Sequence, residues 1–190
     1  KWYFEVWNEP DIDYFFRGSQ ADYFELYANT ARTIKQLDNQ LKVGGPATSK
    51  NLWITDTLQY CEKNSVPIDF ISTHHYCANS AIEMNADGTR NRIFHGQPRM
   101  KHDVEGTVNA VKSSVFPEIE IHYTEWNVTP FFTDSFSKNT EYTAVFALET
   151  IRAVRGLLNS YSWWTFSDVF EEAGVPVTPF ASQFGLFNLH

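Results

Sequence analysis

The chain has 190 residues, 43% hydrophobic and 20% charged, so a globular, soluble domain with a sizeable core is expected. A net charge of −8 and a pI near 5.2 leave no basic stripe to neutralise phosphates, which excludes nucleic acid as a partner and suits a neutral ligand. No apolar run approaches the roughly 18 residues of a membrane span, so no membrane partner is expected.

Residues 2–7 read as a buried strand. The chain opens inside it, so its natural N-terminus is expected upstream and the compartment is left open. Ser19 with Asp22 three positions later is a capping pair, and Tyr23, Phe24, Tyr27, Ala31, Ile34 and Leu41 follow at helical spacing, predicting a helix that stops near Asn39. A short strand at 42–44 is expected to end at the breaker Gly44-Gly45-Pro46. Residues 50–64 read as a helix with Leu52, Trp53, Leu58 and Cys61 toward one side, and Pro67 leads into a strand at 68–73. A long polar loop over 77–101 precedes a helix at 103–115 and a strand at 119–124. Another loop at 127–138 leads to a helix at 139–157, marked by Tyr142, Val145, Phe146, Leu148, Ile151 and Val154 and by Gly156 near its end. The last strand is 160–166, followed by a tail rich in Pro, Gly and Phe.

Strict alternation of strands and helices implies a parallel sheet. Five such units make part of an eight-stranded α/β barrel, so the expected architecture is a partial (β/α)8 TIM barrel, approximately strands 4 to 8. Residues 1–190 then form a single catalytic-domain fragment lacking the first three βα units and the last helix, completed by a further segment or another chain, and alone inactive or poorly stable. No Gly-x-Gly-x-x-Gly pattern follows any strand, so no nucleotide and no other cofactor is expected. Cys61 and Cys77 are too few for a disulfide framework and read as buried free thiols. Asn127-Val128-Thr129 is a glycosylation sequon, read as coincidence because it overlaps a second motif.

That motif and an earlier one carry the chemistry. Trp7-Asn8-Glu9-Pro10 follows the first strand and Thr124-Glu125-Trp126-Asn127 follows the one at 119–124, each placing a carboxylate beside a Trp and an Asn. Sites in parallel sheets and barrels lie where strands end and helices begin. Either Glu alone reads as an ordinary loop carboxylate; the matched pair points to cleavage of a glycosidic bond. Carboxyl groups about 5–5.5 Å apart suit a retaining mechanism, about 6.5–9.5 Å an inverting one, and more than about 12 Å would separate them altogether. Asn8 is placed to donate to a sugar hydroxyl beside the reacting carbon. Aromatic residues, 16% of the chain with six Trp, suit both a large core and sugar faces.

With Ser72-Thr73-His74-His75-Tyr76 between the motifs and Trp164-Thr165-Phe166-Ser167-Asp168 plus Glu171-Glu172 after them, the chain resembles glycoside hydrolase family 39 of clan A, the family of β-xylosidases and α-L-iduronidases. The resemblance implies Glu9 as acid/base and Glu125 as nucleophile of a double displacement on an oligosaccharide or glycoside, with Asn8 at the cleavage subsite. It also implies His74 and Tyr76 on the floor near the nucleophile, Trp164 stacked on a sugar ring and Glu172 holding hydroxyls. Strand alternation agrees, since His74 and Tyr76 share a face and His75 points away. Trp163-Trp164-Thr165-Phe166-Ser167-Asp168 resembles the xylosidase branch. Arg90, Arg92 and Arg99 keep a uronic acid substrate, as of an iduronidase, open, and an arabinosidase is also within reach. Two readings come from other classes: a non-catalytic carbohydrate-binding barrel, and a metal-dependent hydrolase using His74, His75 and His122. Adjacent strand residues diverge, so no metal site is expected.

Overall fold

Among the described residues strands and helices largely alternate, and hydrogen bonding joins five of the seven strands into one sheet. The computed structural model describes residues 2–84, 90–94, 96–130, 140–167 and 184–186, with the side chains of 78–98 outside that description. The order is β1 (Tyr3–Glu5), α1 (Gln20–Leu37), β2 (Lys42–Thr48), α2 (Ile54–Asn64), β3 (Phe70–Tyr76), β4 (Ala78–Met84), β5 (Arg90–Phe94), α3 (Gly96–Lys112), β6 (Glu120–Asn127), α4 (Glu141–Val154) and β7 (Ser160–Trp163). Five strands in the order β1-β2-β3-β6-β7 pair in parallel, and β4 and β5 form a separate antiparallel hairpin.

The sheet is strongly curled. In a flat sheet β1 and β6, three strand spacings apart, would stand about 14 Å from one another. Instead the Tyr3 ring lies 5.6 Å from the His122 ring, and Thr124 Oγ1 donates to Glu5 Oε2 at 2.7 Å. The molecule is therefore a curled half-barrel whose concave face is the lumen, the expected partial (β/α)8 barrel.

The convex face carries the helices. The capping box at Ser19 and Asp22 starts α1 as predicted, and Tyr23, Phe24, Tyr27, Ala28 and Ala31 are buried along it. They pack with Val43, Leu58, Cys61, Ile71, Val104, Val111, Ile121 and Tyr123 into the main core. Two buried tyrosines tie this layer to the strand ends: Tyr23 donates to Val6 O at 3.0 Å and Tyr27 to Pro67 O at 3.1 Å. Cys61 and Cys77 are buried and form no disulfide among the described residues, and burial pushes the Cys61 thiol up to about 12. No helix among the described residues is long and apolar enough to cross a membrane.

Several sequence expectations change. The breaker Gly44-Gly45-Pro46 lies inside β2, which runs on to Thr48. The glycines are there for close approach: a Cβ on Gly44 would sit 2.3 Å from Phe70 O, and one on Gly45 would sit 2.6 Å from the Tyr23 hydroxyl. Pro46 stands at a register shift, where a strand tolerates a missing donor. The loop expected over 77–101 holds the β4–β5 hairpin, and α3 starts at Gly96, with Pro98 in the first turn where it is tolerated. The strand expected to be buried, β1, is exposed at all three positions, because it forms an edge and its inner face looks onto the open lumen. On α4, Phe146, Ala147, Thr150 and Val154 are buried, whereas Val145, Leu148 and Ile151 are exposed.

The contact between Gly44 and a backbone carbonyl gives a stability test. In the protein carrying this chain, Gly44→Ala must displace β2 from β3 and should cost about 2–3 kcal/mol, read by urea denaturation. An unchanged midpoint would mean that the strand relaxes freely there.

Candidate active site

Glu9 is held by an unusual piece of backbone. Past β1 the chain takes positive φ at Trp7 (72°) and again at Glu9 (40°), a region costly for residues with a Cβ. Neighbours enforce the bend: Val6 N donates to Gly44 O at 3.0 Å, Glu9 N to Ala47 O at 2.9 Å, Ile12 N to Glu9 O at 3.0 Å, and Trp7 Nε1 to Phe15 O at 3.0 Å. Ala47 is itself left-handed, at the register shift of β2. Asp11 clamps the same corner by accepting from Ser49 N and Ser49 Oγ at 3.0 and 2.5 Å. The Glu9 carboxylate is thus carried over the end of the sheet and left 8% exposed.

Glu125 depends on an irregularity in β6. Thr73 pairs with Tyr123 and His74 with Glu125, so Thr124 is an extra, unpaired residue. In an unbroken strand Glu125 would face away from His122, because the period is two residues. The bulge resets the phase, as bulges do when they re-aim a side chain. Thr124 and Glu125 both turn into the lumen, while Trp126 turns outward, 1% exposed and stacked on Tyr161 at 4.1 Å.

Between these segments β3 runs without a break up to the register shift. His74 Nδ1 lies 2.8 Å from Glu9 Oε1 and 3.5 Å from Glu125 Oε2, so one ring nitrogen faces both carboxylates. The Tyr76 hydroxyl donates to Glu125 Oε1. Oxygens of Glu9 and Glu125 and a ring nitrogen of His74 all lie within 4.8 Å of one another. Burial of His74, 2% exposed, would lower its pKa, but the hydrogen bond with Glu9 and the charges of Glu125, Glu9 and Glu5 outweigh it and raise the pKa. The same three donors have the spacing of a cation site, and among the described residues they are the one such group.

His75 and His122 do not join them. His75 points outward and bonds Asp103 of α3 at 3.1 Å. Burial would raise the Asp103 pKa, yet hydrogen bonds from His75, Arg99 and His102 hold it well below the usual carboxylate range. His122 lies lower in the lumen, between Ser160 Oγ at 2.7 Å and Glu120 Oε2 at 3.2 Å. The trio of histidines considered from sequence therefore has no common centre.

Asn8 is exposed beside Glu9. Trp164 is half-buried just past β7, its backbone N–H donating to Trp126 O at 3.0 Å. The sequon residue Asn127 is buried, its amide nitrogen donating to Trp164 O at 2.5 Å and Phe184 O at 3.3 Å. Asp168, Glu171 and Glu172 lie outside the described residues. Two residues to which the sequence assigns no role stand close by, Glu5 and Thr124. The signal for Glu5 was a lone carboxylate inside an aromatic strand; for Thr124 no pattern announces the bulge.

A family model described as "Glycosyl hydrolases family 39" matches residues 1–190. The chain belongs to glycosyl hydrolase family 39. Relatives include a beta-xylosidase of Caldicellulosiruptor saccharolyticus, 40% identical, and one of Geobacillus stearothermophilus, 36% identical, each matched over 100% of this chain. The chain spans 38% of the length of each of these two relatives. The crystal structure of a monomeric beta-xylosidase from Caulobacter crescentus CB15 superposes with a TM-score of 0.88 at 38% identity, over 99% of this chain and 38% of that one.

In this family 39 chain the position of His74 has a consequence for pH. Its folded pKa is raised, so its protonated form stabilises the fold fully below the unfolded value of about 6.5, and that contribution is lost as pH rises through the folded value. Relative to His74→Gln, the wild-type protein should lose stability as pH climbs past about 6.5, measured by denaturant midpoints across the range. Parallel profiles would refute the coupling of His74 to the two carboxylates.

Proposed function

We propose that the protein carrying this chain is a retaining β-xylosidase that releases xylose from xylo-oligosaccharides by double displacement. The observation that carries this is the pair of carboxylates with oxygens within 4.8 Å of one another, close to the spacing of about 5–5.5 Å for retention and well short of the inverting range. Glu125 attacks the anomeric carbon while Glu9, protonated, gives its proton to the leaving oxygen. Glu9 then takes a proton from water, and the resulting hydroxide equivalent displaces the sugar from Glu125. The Tyr76 hydroxyl and the His74 ring fix the two carboxylates in rotation, so the nucleophile meets the carbon in one orientation. Asn8 donates to the neighbouring sugar hydroxyl, Trp164 offers a ring for stacking, and Glu172 binds hydroxyls.

Xylose is favoured over a uronic acid because two relatives and a superposing structure carry the beta-xylosidase name, and because Arg99 is committed to Asp103. The rest of the protein, or a second chain, completes the barrel along β1 and covers the exposed apolar residues of α4. This stretch by itself lacks turnover.

Replacing Glu125 by Gly should abolish hydrolysis of an aryl β-xyloside, and azide should restore reaction with a glycosyl azide of inverted configuration as product. Glu9→Ala should lower kcat by about 10²–10⁴-fold with a poor leaving group and less with an activated one. A chelator should leave the wild-type rate unchanged. Wild-type rates in both variants, or loss of activity to the chelator, would sink the proposal.

A further inference from the structure

One contact beneath the two carboxylates joins the strand of Glu9 to the strand of Glu125. Glu5 lies on β1, four residues before Glu9, and its Oε2 accepts from Thr124 Oγ1 at 2.7 Å. Thr124 is the unpaired residue of the β6 bulge, so no ladder partner on β3 holds it in register. Its hydroxyl nevertheless spans the lumen to a strand three places away in the sheet. The two ends of this bond are held differently. β1 is an edge strand of three residues, whereas β6 is paired on both sides.

We propose that Glu5 and Thr124 are positioning residues for the reaction. Their hydrogen bond keeps the bulge turned inward and so sets where Glu125 stands relative to Glu9. This rests on the glycosidase reading above, in which Glu125 must reach the anomeric carbon from one face while Glu9 reaches the leaving oxygen. A nucleophile displaced by about 1 Å costs on the order of a hundredfold in rate. A second approach of β1 to β6, where the Tyr3 ring lies 5.6 Å from the His122 ring and Glu120 raises the pKa of the Tyr3 hydroxyl, sits lower and away from the bulge, and serves as the control for curl alone.

The test uses the protein carrying this chain, with an aryl β-xyloside. Thr124→Val should lower kcat by about 10–100-fold with KM within about threefold, and Glu5→Ala should do the same. Thr124→Ser, which keeps the hydroxyl, should restore kcat to within about threefold of wild type. The double variant Thr124→Val/Glu5→Ala should be no slower than either single one, because both remove one bond. Tyr3→Phe should leave kcat within about threefold of wild type. If Thr124→Val does not fold, Glu5→Gln carries the test: its amide oxygen still accepts, so kcat should stay well above that of Glu5→Ala. The inference is overturned by wild-type kcat in Thr124→Val, by additive losses in the double variant, by an effect on KM alone, by equal losses in Glu5→Gln and Glu5→Ala, or by the same loss in Tyr3→Phe. Failure of the glycosidase reading shows separately, as a wild type without turnover and a Glu125→Gly variant that forms no glycosyl azide.

Discussion

Two carboxylates whose oxygens approach within 4.8 Å repel one another when both are ionised, by about 3 kcal/mol at an effective dielectric of about 20. Much of the local structure is an answer to that repulsion. A single imidazole nitrogen faces both groups, and a phenol hydroxyl takes the far oxygen of one of them. The raised proton affinity of His74 is the other face of the same constraint, since a buried ring would otherwise shed its proton. The site thus holds two carboxylates at close range through two polar side chains that alternate along one strand.

The scaffold serves this by combining regular and irregular parts. β3 is regular through its middle, and its alternation sends His74 and Tyr76 inward and His75 outward to Asp103. The two carboxylates come from irregular neighbours, a left-handed bend after β1 and a bulge in β6. Regular strands alone would not bring side chains from β1 and β6 together over the mouth. The curl brings the strands close, and the irregularities turn the side chains.

What was legible in the sequence follows the same division. The capping box at Ser19, the apolar spacing of α1, the shared face of His74 and Tyr76 and the position of Glu9 just past the first strand all depend on neighbours within a few residues, so they could be read directly. The bulge at Thr124 could not, because period-two reasoning alone puts Glu125 on the wrong face. Nor could the passage of β2 through Gly44-Gly45-Pro46, whose local preference for a break is overridden by Phe70 and Tyr23 filling the space that side chains would occupy. Glu5 is not legible for a related reason: its partner lies 119 residues away, and only the curl of the sheet makes them neighbours.

Asn127 carries a consequence for how the protein can be made. Its amide nitrogen ties the end of β6 to the backbone at Trp164 and Phe184, and the side chain is buried in doing so. That nitrogen is also the atom to which a glycan attaches in a secretory host, where the sequon is met by the transferase before the chain has folded. Attachment there replaces an N–H and adds a bulky polar group to an interior position. Sugar transfer and folding therefore compete for one atom, and any molecule modified at Asn127 is lost to this fold, so a bacterial host, or a substitution at Thr129, removes the conflict.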